Sequence, residues 1–107
     1  MGSCVLAEGR AYMSAVNYGE TVGRMAAVGM HAHTIARALE PLKIEIIDLD
    51  KATAVASGLL VPDTKKQGLS LGDRCCLALA RILKVPALTA DRTWAALKIG
   101  VVVKVIR

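Results

Sequence analysis

Phenylalanine is absent from the 107 residues, and one Trp and two Tyr are the whole aromatic supply, although 54% of the chain is hydrophobic. A core must therefore be built from Val, Leu, Ile, Ala and Met. No apolar run approaches the ~18 residues that a membrane-crossing helix needs. The opening stretch from Met1 to Arg10 has no basic flank leading into an apolar segment, so no secretory signal is read there and a cytoplasmic location is expected. Cysteine is scarce too: Cys4 stands alone, Cys75 and Cys76 are neighbours, and no Cys-x-x-Cys pair occurs. That excludes a disulfide framework or a thiolate zinc site, and the three thiols are expected reduced, as small buried hydrophobes. Internal repeats, low-complexity tracts and Pro/Gly/Ser linkers are also missing, and the length suits one domain or part of one, expected over 1–107.

Fourteen Lys and Arg against nine Asp and Glu give a net charge of +5. This balance favours anionic partners such as nucleic acid. The cations are scattered, with Lys65-Lys66 the only adjacent pair, and an ordinary solvated surface has the same look.

Along the chain, Val5 to Gly9 reads as the end of a helix closed by glycine. Ala11 to Met13 reads as a short strand, and Ser14 as the cap of a helix from Ala15 to about Val28. A helix over Thr34 to Glu40 stops near Pro41, and Lys43 to Leu49 is a strand. Asp50 caps a helix from Lys51 to Leu60, and Val61 to Gly68 is a polar loop. Ser70 caps a helix through Lys84, Pro86 to Ala90 is a strand, Asp91 to Leu97 a short helix, and Val101 to Ile106 a closing strand buried on both sides. Strands alternating with helices predict an α/β fold, a parallel sheet with helices on both faces. Such sheets bind ligands beyond the carboxyl ends of their strands.

Three carboxylates stand in positions that need a reason. Glu20 shares a helical stripe with Val16, Gly23 and Ala27, and the recurrence Gly19, Gly23, Ala27 suits close packing against another backbone. A carboxylate on such a face needs a partner or a metal; an i,i+4 ion pair with Arg24 is the plainer account. Asp73 follows Ser70 by three residues, which is either a helix start facing the positive dipole end or a residue at the mouth of a buried interior. Asp91 follows a strand and is either an N-cap, a ligand, or both. Together, without a Cys/His ligand set, three carboxylates at the mouth of a sheet suit hard cations such as Mg²⁺ or Mn²⁺, which activate water and steady both oxygens of a phosphodiester.

The stretch Gly68-Leu-Ser-Leu-Gly-Asp-Arg-Cys-Cys-Leu-Ala-Leu-Ala80, then Val85-Pro-Ala-Leu-Thr-Ala-Asp-Arg-Thr-Trp94, resembles the second half of VapC-type PIN domains. Upstream, Ser14-Ala-Val-Asn-Tyr-Gly-Glu20 is similar to the family's "S-x-x-N-x-x-E" helix, and Gly100 to Arg107 looks like its last strand. The resemblance implies a PIN-like three-layer α/β/α fold. It places Glu20, Asp73 and Asp91 in an acidic cluster binding Mg²⁺ or Mn²⁺, with Thr89 and Asn17 in support. It further implies the toxin component of a type II toxin–antitoxin system: an endoribonuclease cutting tRNA or ribosomal RNA, neutralised by an antitoxin protein and usually a homodimer. The departure is at the front. No Asp precedes Glu20, and Met1-Gly2-Ser3 looks like a start imposed on an interior sequence. The family's first strand and helix, roughly 25 to 30 residues, are expected to be missing, so that a metal ligand is lost and the core opens unless another chain fills the gap.

Other residues carry less. His31-x-His33 reads as a surface turn rather than a metal pair, and Trp94 as a packing anchor rather than a stacking platform. Arg74, Arg92 and Lys98 are candidates for phosphate contacts, with solvated charges the simpler account. Two further readings stand beside the endoribonuclease: a catalytically inactive remnant that only binds antitoxin or dimerises, and a DNA-processing nuclease of the same fold.

Overall fold

The computed structural model describes residues 3–106; Met1 and Gly2, read above as part of an imposed start, and the final Arg107 lie outside the described residues. Five strands form one sheet: β1 (Cys4–Ala7), β2 (Arg10–Ser14), β3 (Glu45–Ile47), β4 (Ala87–Thr89) and β5 (Val103–Val105), in the order β3-β2-β1-β4-β5. Helices α1 (Ala15–Ala27), α2 (Ala32–Leu39), α3 (Lys51–Leu59), α4 (Val61–Thr64) and α5 (Leu71–Leu83) connect them, with single 3₁₀ turns at Glu40–Leu42, Lys65–Gln67 and Arg92–Ala96. The α/β class is the expected one.

The sheet is mixed where a parallel one was expected. β2 and β3 are parallel, as are β4 and β5, but the central strand β1 runs antiparallel to both of its neighbours. The cause is the segment read as a helix end. Cys4–Ala7 is strand, and Glu8-Gly9 is a two-residue hairpin turn that sends the chain back as β2. Glu8 and Gly9 both have positive φ, 51° and 76°, the backbone that a type I′ turn requires. Gly9 thus closes a hairpin and not a helix. Four apolar residues are too few for periodicity to separate strand from helix, and the pairs that decide it, Cys4 with Leu88 and Val5 with Ala87, lie far off in sequence.

Alternation along the strands sorts their side chains. One face carries Val5, Tyr12, Ile47, Ala87 and Val103, and against it lies α5, whose Cys75 to Ala80 are all buried. Leu60, Leu69, Leu77, Leu79, Trp94 and Ile99 complete this core, aliphatic but for the one indole. The opposite face carries Cys4, Leu6 and Leu88, all half-buried. β5 lies at the edge, with Val102 just before it 66% exposed, so the expectation of a closing strand covered on both sides fails. Val61 to Gly68 is not a plain loop either: Pro62 stands in the first turn of α4, where its missing N–H costs nothing. Among the described residues no helix is long and apolar enough to cross a membrane.

Candidate functional site

β2 and β4 run parallel to each other through β1, so their carboxyl ends open on one edge of the sheet. Ser14 ends β2 and caps α1, its hydroxyl accepting from the Val16 N–H at 3.2 Å. The buried side of α1 is not the small-residue stripe. Gly19, Gly23 and Ala27 are exposed, and nothing lies within 4 Å of a Cβ built at either glycine. Asn17, 2% exposed, and Thr21 face inward instead. A helical wheel fixes which residues share a face but not which face meets the core. Gly and Ala carry too little side chain to decide it.

The Asn17 side chain explains the orientation. Its Nδ2 donates to the Gly72 carbonyl at 3.1 Å, a buried bond between α1 and the first turn of α5. Buried amides are found where such partners exist, and the bond contributes about 1 kcal/mol. Gly72 is the glycine that packing needs: a Cβ there would overlap the Glu20 carboxylate and stand 3.0 Å from the Asn17 Cα.

Glu20 therefore lies half-buried against the start of α5. It does not pair with Arg24, whose guanidinium reaches the Thr21 hydroxyl at 3.4 Å. Its Oε1 accepts from the Ser70 hydroxyl at 2.9 Å, a bond between residues 50 apart in the chain. Ser70 also builds the capping box of α5. Its Oγ accepts from the Asp73 N–H at 3.1 Å, and its own N–H donates to Asp73 Oδ2 at 3.2 Å. Asp73 is thus the helix-start residue, half-buried, and the turn that it caps is bonded to α1 through Asn17 and Gly72.

Asp91 stands differently. Its Oδ1 accepts from the Thr93 N–H at 2.9 Å and the Thr93 hydroxyl at 2.7 Å, capping the 3₁₀ turn, and the residue is exposed. Thr89 is buried below it, its hydroxyl accepting from the Asp91 N–H at 3.0 Å and from the Ser3 hydroxyl at 3.1 Å. Because β1 is reversed, its amino end reaches this edge, which puts Ser3 beside Thr89. The structure thus joins Glu20 and Asp73 through Ser70 and leaves Asp91 on its own cap. Among the described residues no group of three or more His, Cys, Asp or Glu is placed to hold a metal ion.

A family model described as PIN domain matches residues 5–99. The chain belongs to the PIN domain family. The match begins in β1 and ends beyond Trp94, taking in every candidate residue of the site. The sheet and its helices are those of a PIN-like α/β fold, and membership in this family suggests a nuclease. No curated protein matches the chain.

PIN nucleases generally use divalent metal ions, and the site of this PIN domain has the donor chemistry for one in part. Glu20 and Asp73 offer carboxylate oxygens, the ligands of hard divalent cations. Gly72 leaves room for the Glu20 carboxylate. Asp91, turned to Thr93, does not join them.

The remaining side chains are soon placed. His31 and His33 stack with parallel rings 6.5 Å apart on the exposed surface of α2's start. Trp94 is wholly buried in the main core, the anchor its position suggested, so no base can stack on it. Arg92 and Lys98 are exposed, while Arg74 is half-buried and donates to the Leu69 carbonyl at 2.7 Å. The three cysteines are free; Cys75 and Cys76 are buried. Burial pushes the Cys76 thiol well above its ordinary range, with Cys4, Asp73 and Cys75 adding to the effect, so it stays protonated and is no nucleophile. In the sequence Ser70 reads only as a cap, and nothing local marks Gly72 or Ser3. The capping box was visible; the 50-residue link to Glu20 leaves no local signal.

Proposed function

We propose that this PIN domain, taken as 1–107, is a metal-dependent endoribonuclease, the toxin of a type II toxin–antitoxin pair. One observation carries the reading: Glu20 and Asp73, from two helices, are tied to one serine at the edge where β2 and β4 end. Glu20 and Asp73 would supply carboxylate oxygens to a Mg²⁺ or Mn²⁺, and the chemistry such an ion would bring is activation of water and neutralisation of phosphate charge. Glu20 and Asp73 would hold the ion, and Asp91 would take part only if its carboxylate gave up its bonds to Thr93. Thr89 steadies Asp91 through its backbone N–H, and Asn17 locks α1 to α5 so that the two carboxylates keep their spacing. The net charge of +5 favours an RNA substrate, tRNA or ribosomal RNA in this reading. An antitoxin protein, a homodimer and a cytoplasmic setting belong to the same proposal.

Asp91 also favours a second reading. In it, with Asp91 Oδ1 held twice by Thr93 and no third carboxylate beside Glu20 and Asp73 among the described residues, the chain would be a binding remnant that engages antitoxin or a second copy without cutting RNA. A Mn²⁺ titration tests the metal site. Wild-type protein binding at least tenfold tighter than an Asp73→Ala, Asp91→Ala double variant supports it; equal binding shows that the carboxylates hold no ion.

A further inference from the structure

Ser70 has a single hydroxyl proton, and the structure fixes where it goes. The Asp73 N–H points at Ser70 Oγ, so that oxygen is an acceptor there. Its own proton is left for Glu20 Oε1 at 2.9 Å. Glu20 Oε1 is therefore the acceptor of this bond. The other Glu20 oxygen has no hydrogen-bond partner among the described residues. Meanwhile the Ser70 N–H takes Asp73 Oδ2. One residue thus grips a carboxylate on each of two helices and leaves each with an oxygen to offer. Gly72, two residues on, provides the space in which the Glu20 carboxylate lies.

We propose that Ser70 is a positioning residue of the metal site: its hydroxyl orients the Glu20 carboxylate toward a divalent cation that Glu20 and Asp73 share. This rests on the nuclease reading above, since it presumes that the two carboxylates hold the ion. Capping α5 is the other work of the same hydroxyl, and the two roles separate by substitution. Glycine at an N-cap costs a helix little relative to serine, whereas alanine costs more. Both remove the proton given to Glu20. Threonine keeps cap and proton alike.

The experiment titrates Mn²⁺ into the full chain, following the loss of the free-ion signal by electron paramagnetic resonance, with a thermal melt of each variant. Partners that orient a metal ligand typically contribute 10- to 100-fold in affinity. Ser70→Gly and Ser70→Ala are expected to bind Mn²⁺ about tenfold more weakly, to the same extent although alanine melts lower. Ser70→Thr restores wild-type affinity, and Ser70→Gly adds no further loss in a Glu20→Gln background. Four results overturn the proposal. If Ser70→Gly binds as wild type while Glu20→Gln is weakened, Ser70 does not position the ligand, and the nuclease reading stands. If affinity follows melting temperature, or Ser70→Gly weakens binding equally in the Glu20→Gln background, the serine acts only through the helix. If Glu20→Gln and Asp73→Asn both bind as tightly as wild type, the metal reading itself fails and takes the proposal with it.

Discussion

The Gly72 Cα faces the Glu20 carboxylate so closely that one added methyl group would overlap it and press on the Asn17 backbone. The Glu20 carboxylate can swing aside, but the Asn17 Cα, 3.0 Å from such a methyl group, is backbone and must give way with α1. Gly72→Ala, a change that favours most helices, is expected here to destabilise by about 1–3 kcal/mol, the usual range for overpacking. The exposed glycines of α1 give the control. Gly19→Ala and Gly23→Ala enter open space and should each gain up to about 1 kcal/mol. Chemical denaturation of the three variants checks this; stabilisation by Gly72→Ala would contradict the packing of Glu20 on α5.

The hairpin that fills the centre of the sheet turns on a strained residue. Glu8 holds φ at 51°, a left-handed backbone that L-residues other than Asn and Asp avoid. Glu8→Asn restores the Asn-Gly pair that type I′ turns prefer. It should raise stability by about 0.5–1 kcal/mol. No gain in the melting temperature would mean that β1 and β2 are not joined by this turn.

Asp50 caps α3, its Oδ1 accepting from the Thr53 N–H at 2.8 Å. The backbone and hydroxyl bonds from Thr53 lower its pKa below the ordinary aspartate range. A folded-state pKa that is depressed contributes stability above the unfolded value and loses it as pH falls through the folded one. Asp50→Asn keeps the acceptor and removes the charge. Melting temperatures measured from neutral pH down through the carboxylate range should fall less steeply for Asp50→Asn than for wild type. Identical slopes would show that the cap does not depend on ionisation.

What could be read from the chain divides along sequence distance. The box of Ser70 and Asp73 and the caps at Ser14, Asp50 and Asp91 are local, so residue type and spacing reveal them. The burial of α5 is legible from its nearly unbroken apolar run. β1 is not, because its strand identity comes from pairing with β4 some 80 residues later. The inward face of α1 is not legible in the sequence, because Asn17 and Thr21 are buried for their hydrogen bonds, Asn17 to Gly72 and Thr21 to the Asn17 carbonyl, while polarity points the other way. At the site, membership of Glu20 and Asp73 in one constellation came through resemblance. Their common tie to Ser70 is visible only in three dimensions, as is the separate engagement of Asp91 with Thr93.

Cleavage of RNA by the purified chain is the most direct test of the central claim, measured with Mn²⁺, with excess chelator, and for the Glu20→Gln and Asp73→Asn variants. The account predicts cutting by the wild type that chelator abolishes and that each substitution lowers by at least 100-fold, roughly the loss expected when a group acting in the transition state is removed. Wild-type protein that binds Mn²⁺ yet leaves RNA intact, or cleavage that survives chelator and both substitutions, would contradict it.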